Sequence, residues 1–108
     1  MADDDDVVIA AVTAAELLVG VEFADRRRRG RRQAFVESIL RTIPVEAYDL
    51  DVARVHALLL AHTQRAGEPR GAHDLLIAAT ALARDRVVVT ADPRGFDRLP
   101  GLGVRLAT

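Results

Sequence analysis

The chain has 108 residues, half of them apolar and only 4 % aromatic, which suits one folded domain with a modest core of Ala, Leu, Val and Ile and excludes an intrinsically disordered chain. It has no Cys, so disulfides and thiolate–zinc sites are excluded; its apolar runs are too short to span a bilayer and its N-terminus is acidic where a secretory leader is basic, so a cytoplasmic location is expected. The net charge of −1 does not mark a nucleic-acid binder, but the balance is uneven: Asp3 to Asp6, read as a solvated lead-in, hold four of the sixteen acids, all fifteen basic residues are Arg, and six of these lie between Arg26 and Arg32. The Arg fork suits carboxylates and phosphates, although a GC-rich coding sequence gives the same bias.

Val7 to Val12 is a short apolar run bounded by charge and reads as a buried strand. From Thr13, the spacing of Ala14, Leu17, Leu18 and Val21 predicts a helix, with Gly20 allowing close packing. A second helix is predicted from about Arg28 to Thr42, with Phe35, Ile39 and Leu40 on one face and Pro44 as its stop. Val45 to Leu50 reads as a strand. Asp51 then looks like the N-cap of a helix to about Ala66, with Val52, Val55, Leu58 and Leu59 inward. Gly67 to Gly71 is a loop. Asp74 to Arg84 is an apolar helix, Val87 to Thr90 a strand, Asp92 to Leu99 a turn and short helix, and Val104 to Ala107 a last strand. Helices alternating with short apolar strands predict an α/β fold with a mainly parallel β-sheet flanked by helices, as a single domain over residues 1–108.

In such a fold the helices return antiparallel to the strands, so helix N-termini and strand C-termini share one edge, where ligands bind. Glu16 lies one turn into the helix after the first strand, Asp74 at a helix N-terminus, and Asp92 just past a strand C-terminus. All three carboxylates are therefore expected at that edge, close enough to share a metal directly or through its waters. Each also has a plain structural explanation. Asp74 suits a helix cap, Asp92-Pro93-Arg94-Gly95 suits a type I turn, and Glu16 suits an exposed helix charge. Clustered carboxylates repel unless a cation neutralises them, and hard ions such as Mg²⁺ or Mn²⁺ prefer such oxygen ligands. At a phosphodiester, that arrangement activates water and orients the phosphate. Arg26, Arg27, Arg28, Arg29, Arg31 and Arg32 are read either as a solvated helix junction or as a patch for RNA phosphates or an acidic partner. With no interleaved aromatics the run cannot stack bases. His56 and His62 are expected on or near a helix surface, His73 at the site edge at most, and Asp97 on the last short helix.

Three segments carry a family resemblance: Thr13-Ala14-Ala15-Glu16-Leu17, then Gly71-Ala72-His73-Asp74-Leu75-Leu76-Ile77-Ala78-Ala79-Thr80-Ala81-Leu82, then Val89-Thr90-Ala91-Asp92-Pro93-Arg94-Gly95-Phe96-Asp97-Arg98-Leu99-Pro100-Gly101-Leu102. From about Val7 onward the chain resembles the PIN-domain ribonucleases, in particular the VapC-type toxins of toxin–antitoxin pairs. The resemblance implies a parallel sheet with helices on both faces and RNA hydrolysis with Mg²⁺ or Mn²⁺. It also implies inhibition by a cognate antitoxin and homodimers, while the short apolar runs leave no membrane among the expected partners. By position it makes Glu16, Asp74 and Asp92 the metal-binding, catalytic carboxylates and Thr90 a hydroxyl lining the site.

One segment departs from the family. Its members begin with a central strand carrying an Asp followed by Thr or Ser, and this chain goes from its acidic run into what resembles the second family strand. The fold is therefore expected to be incomplete at the N-terminal side, with the strands around Val7 to Val12 and Val87 to Thr90 flanking a gap or a segment supplied from elsewhere. Buried unpaired backbone groups there would cost about 1–3 kcal/mol each, which predicts poor solubility, dependence on a partner or swapping. Three readings follow: a metal-dependent endoribonuclease toxin; a truncated, weakly active or inactive PIN-like domain that binds an antitoxin or RNA; and a plain α/β scaffold.

Overall fold

The computed structural model describes residues 7–107, so the Asp3 to Asp6 lead-in lies outside the described residues. The chain divides into two compact units at Ala47 and Tyr48.

In the first unit, strand β1 (Ile9–Ala10) leads directly into helix α1 (Ala11–Phe23), followed by helix α2 (Arg26–Thr42) and strand β2 (Val45–Glu46). β1 and β2 pair in parallel, with Ile9 opposite Val45 and Ala10 opposite Glu46, and the Ile9 N–H donates to the Pro44 carbonyl at 3.0 Å. A parallel pair needs a long crossover, here supplied by the two helices. The strand expected over 7–12 is cut to two residues because Ala11, Ala14 and Ala15 favour helix strongly and draw Val12 into α1. α2 begins at Arg26, earlier than expected, because the Asp25 carboxylate accepts the Arg28 N–H at 2.9 Å. It ends at Thr42, since Ile43 before Pro44 is held extended. Val36 is the buried residue of α2, while Phe35, expected on one face with Ile39 and Leu40, is 61 % exposed.

The second unit opens with helix α3 (Leu50–Ala66), followed by helix α4 (Ala72–Ala83), strand β3 (Val88–Thr90), a 3-10 turn (Pro93–Gly95) and strand β4 (Val104–Leu106). The α3 cap is Asp49 and not Asp51: its carboxylate accepts the Val52 N–H at 3.1 Å. That start also removes residues 47–50 from the strand expected to run to Leu50. Gly67, at φ +67°, closes α3 in the left-handed conformation that costs glycine nothing. Asp85 takes the same conformation after α4, at φ 56°, and lets the Arg86 N–H reach the Ala81 carbonyl at 2.8 Å. β3 and β4 pair in parallel, Val88 with Val104 and Thr90 with Leu106.

The core of this unit joins Val52 and Leu59 of α3 to Leu75, Ala78, Ala79 and Ala81 of α4, with Val88, Phe96 and Leu99 beneath. The small Ala side chains let α3 approach α4 closely, replacing the bulk that a chain poor in aromatics lacks. Leu58, expected inward, is 71 % exposed. Two buried hydroxyls are satisfied within their own helices: Thr63 donates to the Leu60 carbonyl at 3.1 Å and Thr80 to that of Leu76 at 2.7 Å.

Among the described residues the architecture is thus α/β with parallel strand pairs, β1–β2 in the first unit and β3–β4 in the second. Among the described residues no helix is long and apolar enough to cross a membrane.

Candidate active site

Asp92 lies two residues past the end of β3, where it caps the 3-10 turn with Pro93 in the first position. Its Oδ1 accepts the Arg94 backbone N–H at 3.1 Å and Arg94 Nε at 2.9 Å, while Oδ2 accepts Arg94 Nη2 at 2.8 Å. These contacts, the guanidinium first and the backbone N–H second, hold the Asp92 carboxyl at about 2, below its usual 3.8. Thr90 fixes the approach to the turn: its hydroxyl accepts the Asp92 N–H at 3.1 Å and donates to the Asp92 carbonyl at 3.2 Å.

Asp74 is the third residue of α4, not its cap; the cap position is Gly71. The carboxylate is half-buried at the positive end of the helix, where a negative charge is favoured. It lies directly over Gly95, since a Cβ built on Gly95 would stand 2.9 Å from Asp74 Cγ and collide with Oδ2. Only glycine therefore lets the turn capped by Asp92 meet the Asp74 carboxylate this closely.

Two arginines tie the loop before α4 to this turn. Arg70 Nη2 donates to the Asp97 carbonyl at 2.7 Å and Nη1 to the Glu68 carbonyl at 2.9 Å. Arg98 pairs with Glu68, and Phe96 anchors the turn in the core. Sequence reasoning gives Arg70, Arg94 and Gly95 no part in the site. Gly95 had a readable signal, as the last position of a turn beginning at Asp92. The reach of Arg70 to a residue 27 positions away had none.

Asp74, Asp92 and Thr90 thus gather at one turn in the second unit. Glu16 belongs to the first unit, exposed on the second turn of α1. Among the described residues no three His, Cys, Asp or Glu side chains are grouped to hold a metal. The donors present are nonetheless carboxylate oxygens, and Mg²⁺ is commonly held by one or two carboxylates completed by water and substrate phosphate. Asp74 and Asp92 therefore fit a hard divalent cation in donor type, with Asp92 engaged by Arg94. His73 is exposed beside Asp74. Asp97 serves the structural tie to Arg70, and His56 Nδ1 is hydrogen-bonded to the Tyr48 hydroxyl at 2.9 Å.

The six arginines of the basic run occupy the exposed N-terminal turns of α2. Positive charge at a helix N-terminus opposes the dipole, so helix stability does not explain the run. Acids engage part of it: Arg29 contacts both Glu22 oxygens at 3.2 Å, and Arg28 lies 3.9 Å from Asp25.

Residues 1–102 match the family model described as the PIN domain. Over 101 residues the chain is 30 % identical to a protein of Rickettsia bellii named Ribonuclease VapC, covering 93 % of this chain and 75 % of the relative. It is 34 % identical over 96 residues to a Salmonella typhimurium protein named tRNA(fMet)-specific endonuclease VapC, covering 89 % and 71 %. A solved structure of VapBC-5 from Mycobacterium tuberculosis, a member of the VapBC family of toxin–antitoxin systems, superposes with a TM-score of 0.78 at 36 % identity, covering 93 % of this chain and 79 % of that one. The chain belongs to the PIN-domain family. Within it, the similarity runs to proteins of the VapC type.

Proposed function

We propose that the chain is a VapC-type toxin that hydrolyses RNA phosphodiester bonds with Mg²⁺ or Mn²⁺ and is restrained by a cognate antitoxin protein. The observation that carries the reading is the Asp74 carboxylate seated on Gly95, against the turn that Asp92 caps, in a chain that matches the PIN domain. Asp74 and Asp92 would hold the cation, and a double-mutant cycle decides whether Glu16 adds a third carboxylate. A cation held there would supply an activated water and charge stabilisation at the phosphate. The Thr90 hydroxyl holds the Asp92 backbone in place, and Gly95 and Arg70 keep the α4 N-terminus against the turn. The arginines from Arg26 to Arg32 offer charge to RNA phosphates or to an acidic partner segment, without base reading. An antitoxin partner is supported by the VapBC assemblies among the structural relatives; a homodimer completes the proposal.

A second reading, a PIN-like domain that binds antitoxin or RNA without cleaving, is favoured by one observation: no three candidate ligands are grouped among the described residues. Incubating the chain with total RNA, with and without Mg²⁺ or Mn²⁺, separates the two. The expected result is metal-dependent cleavage that Asp74→Asn abolishes while its circular dichroism stays that of the wild type, because one carboxylate is lost without change of shape. Cleavage by Asp74→Asn equal to wild type would leave Asp74 as a helix-terminal charge only. RNA or antitoxin binding without any metal-stimulated cleavage would favour the second reading.

A further inference from the structure

Arg94 is in direct contact with a proposed metal ligand, Asp92. Oδ1 of Asp92 accepts two donors, both from Arg94, and Oδ2 accepts a third. A carboxylate oxygen offers about two lone pairs, so Oδ1 is filled and Oδ2 has one remaining, with a guanidinium alongside. A divalent cation approaching Oδ2 meets that positive charge at short range, where like charges are least screened. The metal and the guanidinium therefore compete for Asp92. The competition is one that a divalent ion can win, because the Arg94 side chain is 87 % exposed and exposed ion pairs are weak. Once displaced, the guanidinium stays tethered two residues from Asp92, with a donor fork that matches phosphate.

Resting on the metal-site reading above, we propose that Arg94 occupies Asp92 in the metal-free chain and, when a divalent cation takes that carboxylate, is released to bind a phosphate of the nucleic acid. Arg94 thereby lowers the affinity of the free protein for metal and makes metal and phosphate bind cooperatively, each raising the affinity for the other by the same factor.

The test is a Mn²⁺ titration, read as free Mn²⁺ by electron paramagnetic resonance, on the full chain and its variants. Arg105→Gln removes an equal charge from the neighbouring strand β4 and serves as the control. Arg94→Gln is expected to bind Mn²⁺ about fivefold more tightly than wild type, the factor set by freeing an exposed pair, with Arg105→Gln close to wild type. In a second arm, adenosine 5′-monophosphate, which has no phosphodiester to cleave, is titrated by NMR with and without saturating Mg²⁺. Mg²⁺ should strengthen its binding to wild type by several times more than to Arg94→Gln. Equal Mn²⁺ affinity in Arg94→Gln, Arg105→Gln and wild type, all lost on Asp92→Asn, would overturn the role of Arg94 and leave the metal site standing. Mn²⁺ binding by Arg94→Gln that is absent, or that survives Asp92→Asn in the same chain, would overturn the metal-site reading and the inference with it. An Mg²⁺ effect on the nucleotide that is the same in both chains would overturn the phosphate-binding half.

Discussion

Gly95 and Asp92 show how much of the site depends on single atoms. At Gly95 the missing Cβ is the space that the Asp74 carboxylate fills. Gly95→Ala forces either the turn or the carboxylate to move, an overpacking that typically costs about 1–3 kcal/mol. Thermal melting should show that loss, and metal-stimulated RNA cleavage should fall with Asp74 left in place chemically. A variant that melts and cleaves as wild type would mean the carboxylate does not rest there. Asp92 has a pH signature. Its folded value of about 2 lies below the ordinary 3.8, so its pairing with Arg94 stabilises the fold fully above about 3.8 and is lost as pH falls through about 2. The stability difference between wild type and Asp92→Asn, followed by denaturant melts, should be constant from neutral pH down to about 4 and shrink below it. A difference that instead changes around neutral pH would contradict the ion pair as its source.

At the scale of elements, what could be read from sequence was set by local signals. The apolar helix through Asp74 was legible because all eight residues from Leu75 to Leu82 are Leu, Ile, Ala or Thr, bounded by a Gly-Pro-rich loop on one side and charge on the other. β3 was legible for the same reason. Helix starts were less so, since Asp49 and Asp51 both suit a cap. The choice is made by Arg84, whose Nη2 donates to Asp49 Oδ2 at 2.6 Å from the far end of α4. That long-range partner, with the Val52 N–H as the larger cause, holds the Asp49 carboxyl below its ordinary value. Asp49→Ala should therefore lower Tm by about 4–8 °C, the shift that goes with losing a typical cap in a domain of this size. Asp51→Ala, which removes only a first-turn charge, should lower it by clearly less. The reverse order in calorimetry would restore Asp51 as the cap. The ties of Arg70 and Arg98 to residues 97 and 68 were not legible for the same reason: an arginine's partner across 27 or 30 positions leaves no mark in local spacing.

At the scale of the molecule, sequence order alone places Glu16, Asp74 and Asp92 at strand C-termini and helix N-termini. The described elements keep that local placement, with Glu16 following β1, Asp74 opening α4 and Asp92 following β3. Which carboxylates act together is a separate matter, because Asp74 and Asp92 belong to one compact unit and Glu16 to the other. A double-mutant cycle decides it. Residues that ligate one cation share a partner, so their substitutions do not add; residues more than about 7–10 Å apart with no shared partner add to within about 0.3–0.5 kcal/mol. Mn²⁺ affinity is the quantity to measure, for Glu16→Gln, Asp74→Asn and the pair. If Glu16 contributes to the proposed site, each single variant weakens Mn²⁺ binding and the double variant is little worse than the poorer single one, since the first loss already undoes the site. If the two effects add, or Glu16→Gln binds as wild type, Glu16 is an ordinary exposed charge on α1 and the cation is held from the second unit alone, by Asp74, Asp92, water and substrate phosphate. The Asp74 and Asp92 pair serves as the internal standard, since Gly95 brings both to one turn. Their cycle should be strongly non-additive whatever Glu16 does, so additivity in that pair would overturn the proposed metal site.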